Sequence, residues 1–419
     1  MVLNLADKDL IQSIFFLNAA ESSFSEHNSS FRWEGANPGL GWTRYFYINN
    51  SSGNVQWIFP EYISYPAFIA LQNSPNPISS FKRKQFQFLF SLGLKQLFAD
   101  GYFFVKDEDA FPLYELIHSV PHESFAILTN TTGNFRKSVV ALNQGKYTTH
   151  FIKLAHTHKA TELVHNEVYA LQILSQRRLR RIVHPFLAQT DGDHAVILSS
   201  VKPPRGTFAK ELTPVHLEGI HEIYKTFSHQ RSLQDLFYYR KLPEYIQSIE
   251  EAVTEFSLKG ATSLVERIES LMTSYKEFFQ SISPEQEVWV SLTHGDFLPW
   301  NMYVTSRQLY VFDWEYTQES LPLLYDPLYF IYHSYLTYHP DKPEKVSQAV
   351  QAFFAQPAFK KMEEQFSLDL AVYHALYLYI EIPYILQREI NQYKAPSHDA
   401  LERFVAFWQQ VLAGYKASK

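Results

Sequence analysis

Short apolar runs set off by turn residues mark the first clear pattern, at 124–129, 137–142 and 149–155. Asn130-Thr131-Thr132-Gly133-Asn134 and Asn143-Gln144-Gly145-Lys146 separate them, so three strands joined by tight turns are expected. The period then changes. Leu163, Val164, Glu167, Ala170, Leu171 and Leu174 recur at three- and four-residue spacing, which predicts a helix over about 160–176. Glu167 is polar on that apolar face, which costs free energy unless it finds a partner. Lys153, inside the third strand, is the candidate. Two further strands, 186–189 and 194–199, flank Asp191-Gly192-Asp193. Ser200-Val201-Lys202-Pro203-Pro204-Arg205-Gly206 then punctuates the chain.

Beyond that point helical periodicity dominates. Thr213-Pro214 supplies an N-cap and a proline at the first helical position, ahead of the stripe His216, Leu217, Ile220, Ile223, Tyr224 and Phe227. Asp326-Pro327 is expected to cap a second helix in the same way. Tyr373, Tyr377 and Tyr384 form a helical stripe that reads as core. One stretch interrupts the helices. A strand over 288–292 leads to a hairpin of 302–304 and 309–312 around Thr305-Ser306-Arg307-Gln308. The first 120 residues mix strand-like runs (42–48, 55–59) with Ser/Asn/Gly punctuation. A helix over 81–98 begins with Lys82, Arg83 and Lys84 and is rich in Phe and Leu. Such a helix can lie in a membrane interface. Phe86, Phe88, Leu89 and Phe90 occupy more than one face, which favours packing on the core.

The interrupting stretch carries the chemistry. Thr293-His294-Gly295-Asp296-Phe297-Leu298-Pro299-Trp300-Asn301 is followed by Asp313-Trp314-Glu315. The hairpin would bring Asn301 and Asp313 together beside the loop that carries Asp296. One oxygen-bearing side chain can then accept a proton, and two can hold Mg²⁺, which prefers oxygen ligands. Phosphoryl transfer needs that equipment. Turn hydrogen bonds alone are the plainer reading of the same Asp and Asn.

His-Gly-Asp-Phe-x-x-x-Asn followed by Asp-Trp-Glu resembles the catalytic core of the aminoglycoside phosphotransferase and choline kinase group. These are small-molecule kinases with a protein-kinase-like fold. The resemblance covers about 120–335 by motif. It implies an α+β, two-lobed protein-kinase-like fold: a small antiparallel sheet lobe at 121–202, a mainly helical lobe at 203–419, and an N-terminal extension, 1–120, of unknown function. It implies Asp296 as catalytic base, Asn301 and Asp313 as Mg²⁺ ligands, and His294 as a brace for the loop. Lys153 would contact the nucleotide phosphates and be positioned by Glu167. Thr132 and Gly133 would belong to the phosphate loop, which has one glycine where protein kinases have several. Ser200, Val201 and Lys202 would form the hinge that pairs with adenine. The cofactors implied are ATP or GTP with Mg²⁺. The acceptor implied is a hydroxyl of a polar small molecule such as a sugar, an aminoglycoside or an amino alcohol. The family usually builds its acceptor pocket in the segment that corresponds to 233–283, which here holds Asp235, Tyr238, Tyr239, Arg240 and Glu244; a helix surface is the plainer reading of the same residues. Two other classes stay open. A catalytically inactive kinase-like binding module would explain the thin phosphate loop. A metal-dependent hydrolase would use the same metal ligands but has no use for Lys153, Glu167 or the hinge.

Composition narrows the setting. With 419 residues, 46% hydrophobic and 19% charged, the chain can bury large cores and form two or three domains. A net charge of −6 gives no general attraction to nucleic acid. The absence of cysteine excludes disulfides and thiolate chemistry. Asp7, Lys8 and Asp9 break the pattern of a signal peptide, so a cytoplasmic enzyme is expected. No apolar run is long enough to span a bilayer. The nearest, 370–386, contains His374, Glu381 and Pro383 and reads as a buried helix.

Overall fold

Apolar residues on both faces of the early strands build the sheet of the first unit. The computed structural model describes residues 3, 5–17, 30–33, 35–36, 38–50, 52–63, 85, 88–90, 92–97, 99–106, 111–129, 135–145, 147–191, 195–200, 203, 206–280, 282–392 and 398–417. Its elements begin with α1 (Leu5–Phe15), β1 (Phe31–Arg32), β2 (Trp42–Asn49), β3 (Val55–Pro60), β4 (Gly101–Lys106) and α2 (Pro112–His118). They continue with β5 (Ser124–Leu128), β6 (Lys137–Gln144), β7 (Tyr147–Ala155), α3 (His158–Ser175), β8 (Ile182–Val183), β9 (Leu187–Asp191) and β10 (Ala195–Ser199). All of these strands except β8 form one sheet in the order β1-β4-β2-β3-β5-β6-β7-β10-β9, paired antiparallel throughout. Successive side chains of a strand point to opposite faces. Tyr45, Ile58, Ile127 and Val140 therefore join one core with Ile11, Phe15 and Phe111. Their neighbours Phe46, Trp57, Ala126 and Ala141 join another with Phe90. Phe15 of α1 makes edge contacts with Phe31, Tyr45 and Phe111 at 5.3 to 5.7 Å.

This sheet corrects the expected division at residue 120. The first 120 residues are not a separate extension. β3 pairs with β5 through Trp57↔Leu128 and Ile58↔Ile127. The chain divides instead into a unit of residues 1–176 and 184–202 and a unit of residues 177–183 and 203–419. The helix expected over 81–98 also ends early. Residues 81–84, 86–87, 91 and 98 lie outside the described residues. In the described part, Gly93 takes φ 74°. Its N–H donates to Phe90 O at 3.0 Å, and Leu94 N–H donates to Leu89 O at 3.1 Å. That left-handed glycine closes the helix. Phe90 is buried as expected, but Phe88 is 64% exposed.

The second unit is mainly helical. It contains α4 (Pro214–Phe227), β11 (His229–Ser232), α5 (Phe237–Leu258), α6 (Thr262–Phe279) and β12 (Glu287–Thr293). Then come β13 (Met302–Val304), β14 (Leu309–Val311), β15 (Gln318–Pro322) and α7 (Tyr325–Tyr338). It finishes with α8 (Glu344–Phe354), α9 (Pro357–Phe366), α10 (Leu370–Gln392) and α11 (His398–Ala417). Thr213 and His216 cap α4 reciprocally, with Thr213 N–H donating to His216 Nδ1 at 3.0 Å. Two small sheets carry the site. One is β11-β12-β15; the other is β13-β14-β8, in which β8 runs parallel to β14. Glu222 of α4 anchors β8 by accepting the N–H groups of Arg180, Arg181 and Ile182. α10 packs on α5, and α11 on α6. Tyr373 and Tyr377 are buried within the helical core. Among the described residues no helix is long and apolar enough to cross a membrane.

Candidate active site

β12 runs into a loop whose shape is fixed from below. Gly295 has φ 77°, and a Cβ there would sit 2.1 Å from the backbone oxygen of Tyr316. Only glycine fits. Asp326 holds this turn: its carboxylate accepts His294 N–H at 2.8 Å and Gly295 N–H at 3.1 Å. The cap expected from Asp326-Pro327 is therefore used differently. Leu324 is the N-cap of α7, and Asp326 lies within the first turn, aimed at the loop. Burial pushes its carboxyl above the usual carboxylate range, while the His294 ring and the two N–H groups work against that rise. His294 braces the loop from the other side. Its Nδ1 accepts Asp296 N–H at 3.2 Å, which leaves Nε2 to donate to Phe312 O at 2.9 Å. One tautomer satisfies both bonds.

Asp296 is half-buried, and both of its carboxylate oxygens are engaged. Tyr329 Oη donates to Oδ1 at 3.0 Å. Asn301 Nδ2 donates to Oδ2 at 2.8 Å and to the Asp296 backbone oxygen at 2.9 Å. The Asn301 amide nitrogen is thereby committed to the loop, and its Oδ1 makes neither of these bonds. The β13–β14 ladder pairs Met302 with Val311, and Phe312 N–H donates to Asn301 O at 3.0 Å. Asn301 thus lies opposite the residue that precedes Asp313. Asp313 adopts a left-handed conformation, φ 68° and ψ 53°. Non-glycine residues rarely do so, Asp and Asn more readily than others. Strain of this kind collects at functional positions. An amide oxygen and a carboxylate on adjoining rungs are a donor set that suits a hard divalent cation.

In the first unit, Lys153 of β7 and Glu167 of α3 form a buried ion pair, Nζ to Oε2 2.5 Å. They are 8% and 0% exposed, so neither is a solvated surface charge. Ser200 is described, and its N–H donates to Thr149 O at 2.7 Å, extending the β7–β10 pairing by one residue. Thr132, Gly133, Val201 and Lys202 lie outside the described residues.

A cavity of about 510 Å³ opens beside Asp296 within the second unit. Tyr329, His333 and Thr337 of α7 line it together with Arg388 and Glu389 of α10, Arg403 and Phe404 of α11, and Trp300. The segment 233–283 does not supply this wall. Asp235, Arg240 and Glu244 are exposed on the helical surface, and Tyr238 is buried against Tyr384. Glu244 pairs with Lys241 instead. Behind the cavity, His333 stacks on Tyr329 with ring centroids 4.0 Å apart. Its Nε2 lies 2.8 Å from Glu381 Oε1, and Tyr325 donates to the other carboxylate oxygen at 2.5 Å. Burial, then the nearby Asp296 charge, raises Tyr329 well above the usual phenol range, so it serves as a donor.

No protein-family model matches the sequence, and no curated protein matches it. Comparison with solved structures gives a likeness. The chain is similar in fold to aminoglycoside phosphotransferases. Against ADP-bound aminoglycoside phosphotransferase APH(2'')-Ib the TM-score is 0.44 at 12% identity, over 72% of this chain and 97% of that one. Against APH(2")-IIa in its streptomycin–ATP ternary complex it is 0.41 at 12% identity, over 69% and 93%. The amicoumacin kinase hAmiN, solved in complex with AMP-PNP, Ca²⁺ and Ami, gives 0.42 at 15% identity, over 68% and 88%.

Four residues that line the cavity carry no sequence expectation: Tyr329, His333, Arg388 and Arg403. They sit in helices with no motif around them. The one available signal was periodic. Asp326, Tyr329 and His333 recur at three- and four-residue spacing along α7 and so share a face.

Proposed function

We propose that the protein is a small-molecule kinase that moves the γ-phosphoryl group of ATP or GTP to a hydroxyl of a polar acceptor. The observation that carries this reading is Asp296, a carboxylate held at both oxygens on a braced loop, at the edge of a cavity sized for a small molecule. In the reaction Asp296 orients the acceptor hydroxyl and takes its proton. The hydroxyl oxygen bonds to the γ-phosphorus, and the bond from that phosphorus to the β–γ bridging oxygen breaks, releasing the nucleoside diphosphate. Asn301 and Asp313 hold a divalent cation, Mg²⁺ by its abundance with nucleotides. Such an ion neutralises phosphate charge as it develops. Lys153, kept in place by Glu167, orients the phosphates. Positioning and electrostatics of this kind supply most of the catalysis in phosphoryl transfer. A cytoplasmic setting, where nucleotide is abundant, goes with this activity.

The test has two parts. ATP with Mg²⁺ should raise the melting temperature, as any ligand that binds only the native state does. A library of hydroxyl compounds should then contain members that raise ADP release above the acceptor-free rate. Stabilisation without any turnover would favour the inactive binding module. Absence of nucleotide binding would remove the kinase reading.

A further inference from the structure

The cavity beside Asp296 has a charge balance that restricts its occupant. Among the described residues, four ionisable groups of fixed sign line it: Asp296, Glu389, Arg388 and Arg403. Asp296 faces the reacting hydroxyl. Glu389 lies beside Arg388, Oε1 to Nη2 3.6 Å. Arg388 still has unused donor capacity, because its Nε is buried with no hydrogen-bond partner among the described residues. Arg403 is exposed on α11 and pairs with no carboxylate among the described residues. A polycationic acceptor would need carboxylates left over for its ammonium groups, and none remains among the described residues that line the cavity. Two guanidinium groups on the wall instead match a planar or tetrahedral oxyanion, which arginine can grip with two parallel N–H bonds. Trp300, 41% exposed, and Phe404 add apolar surface on which a carbon skeleton can lie.

We infer that the acceptor carries an anionic group, a carboxylate or a phosphate, in addition to the hydroxyl that is phosphorylated, and that Arg403 together with Arg388 recognises that group. The inference rests on the kinase reading above and specifies its substrate class.

The experiment measures ADP release at saturating ATP and Mg²⁺ with matched acceptors of two sizes. One set is glycerol, serinol, glycerate and glycerol 3-phosphate. The other is glucose, glucosamine, glucuronate and glucose 1-phosphate, with kanamycin as a polycation. Release should rise with anionic members, and the carboxylate and phosphate arms identify which oxyanion is read. Arg403→Gln should raise KM for the active member about tenfold or more, the usual size of a charge-assisted hydrogen bond, with kcat within about twofold. Arg403→Lys should recover part of the loss. Stabilisation by ATP and Mg²⁺ should be the same in all variants. Turnover confined to neutral or cationic members would overturn the inference, as would an unchanged KM in Arg403→Gln. So would a nucleotide-binding enzyme that turns over no anionic member. Loss of nucleotide binding in the unmodified protein would instead overturn the kinase reading itself.

Discussion

Asp296 accepts hydrogen bonds from two side chains that come from different elements, Asn301 beside the hairpin and Tyr329 on α7. The two are expected to matter differently. Asp296→Asn should abolish phosphoryl transfer and leave ATP–Mg²⁺ binding nearly intact, because in the proposed reaction the carboxylate acts on the acceptor. Tyr329→Phe keeps the ring stacked on His333 and removes only the donor. It should lower kcat by about tenfold, the size of one lost hydrogen bond to a charged group, with little change in stability. Steady-state kinetics beside calorimetric ATP titration separates these effects. Near-normal turnover in Asp296→Asn would show that the base lies elsewhere.

At the scale of elements, the pair between β7 and α3 offers a coupling test. Glu167 is fully buried, so Lys153→Met leaves a carboxylate without its cation. Removing one partner of a buried pair typically costs about 3–5 kcal/mol, and replacing both costs much less. Lys153→Met and Glu167→Gln should each lower nucleotide affinity and melting temperature. The double variant should be far less impaired than the two effects combined, since members of one network are not additive. Additive losses in such a cycle would show two independent residues. The same elements show what local sequence signals carry. The hairpin of β13 and β14 and the start of α4 were legible because turn residues and an N-cap announce them within a few positions. The placement of Glu167 was legible because a lone acid on an apolar helical face needs a cation. The joining of β3 to β5 was not, because residues 61–123 intervene, and pairing of distant strands leaves no local mark. Asp326-Pro327 misled for a related reason: an Asp before Pro announces a helix start, and tertiary contact redirected its carboxylate to the loop. The cavity beside Asp296 was not legible either, since helices α7, α10 and α11 meet around it only through packing.

For the whole molecule, two histidines set an acid limit, His156 half-buried and His216 buried. Burial, and then the charge of Arg136, brings His156 down to about 3; burial brings His216 down to about 4. Both are neutral when folded and become protonated near 6.5 when unfolded. The unfolded chain therefore binds more protons between those values, and stability rises with pH across that window. It is fully present above about 6.5 and is lost as pH falls towards 4 and then 3. Melting temperatures should be level from neutrality upward and fall steadily below pH 6. His156→Asn should flatten part of that slope, and an unchanged slope would assign the acid sensitivity to other groups.

β8 has a consequence for how the chain can be taken apart. Its two residues complete the β13-β14-β8 sheet of the second unit, yet the residues on either side, up to Gln176 and from His184, belong to the first. The backbone therefore crosses between the units three times. A single break by a protease frees neither one, and a clone that holds one unit complete, 1–202 or 177–419, carries a piece of the other with it. A ribosome that has finished residues 1–202 has made all of the first unit while Ile182–Val183 still waits for a partner strand, β14, that has not yet been synthesised.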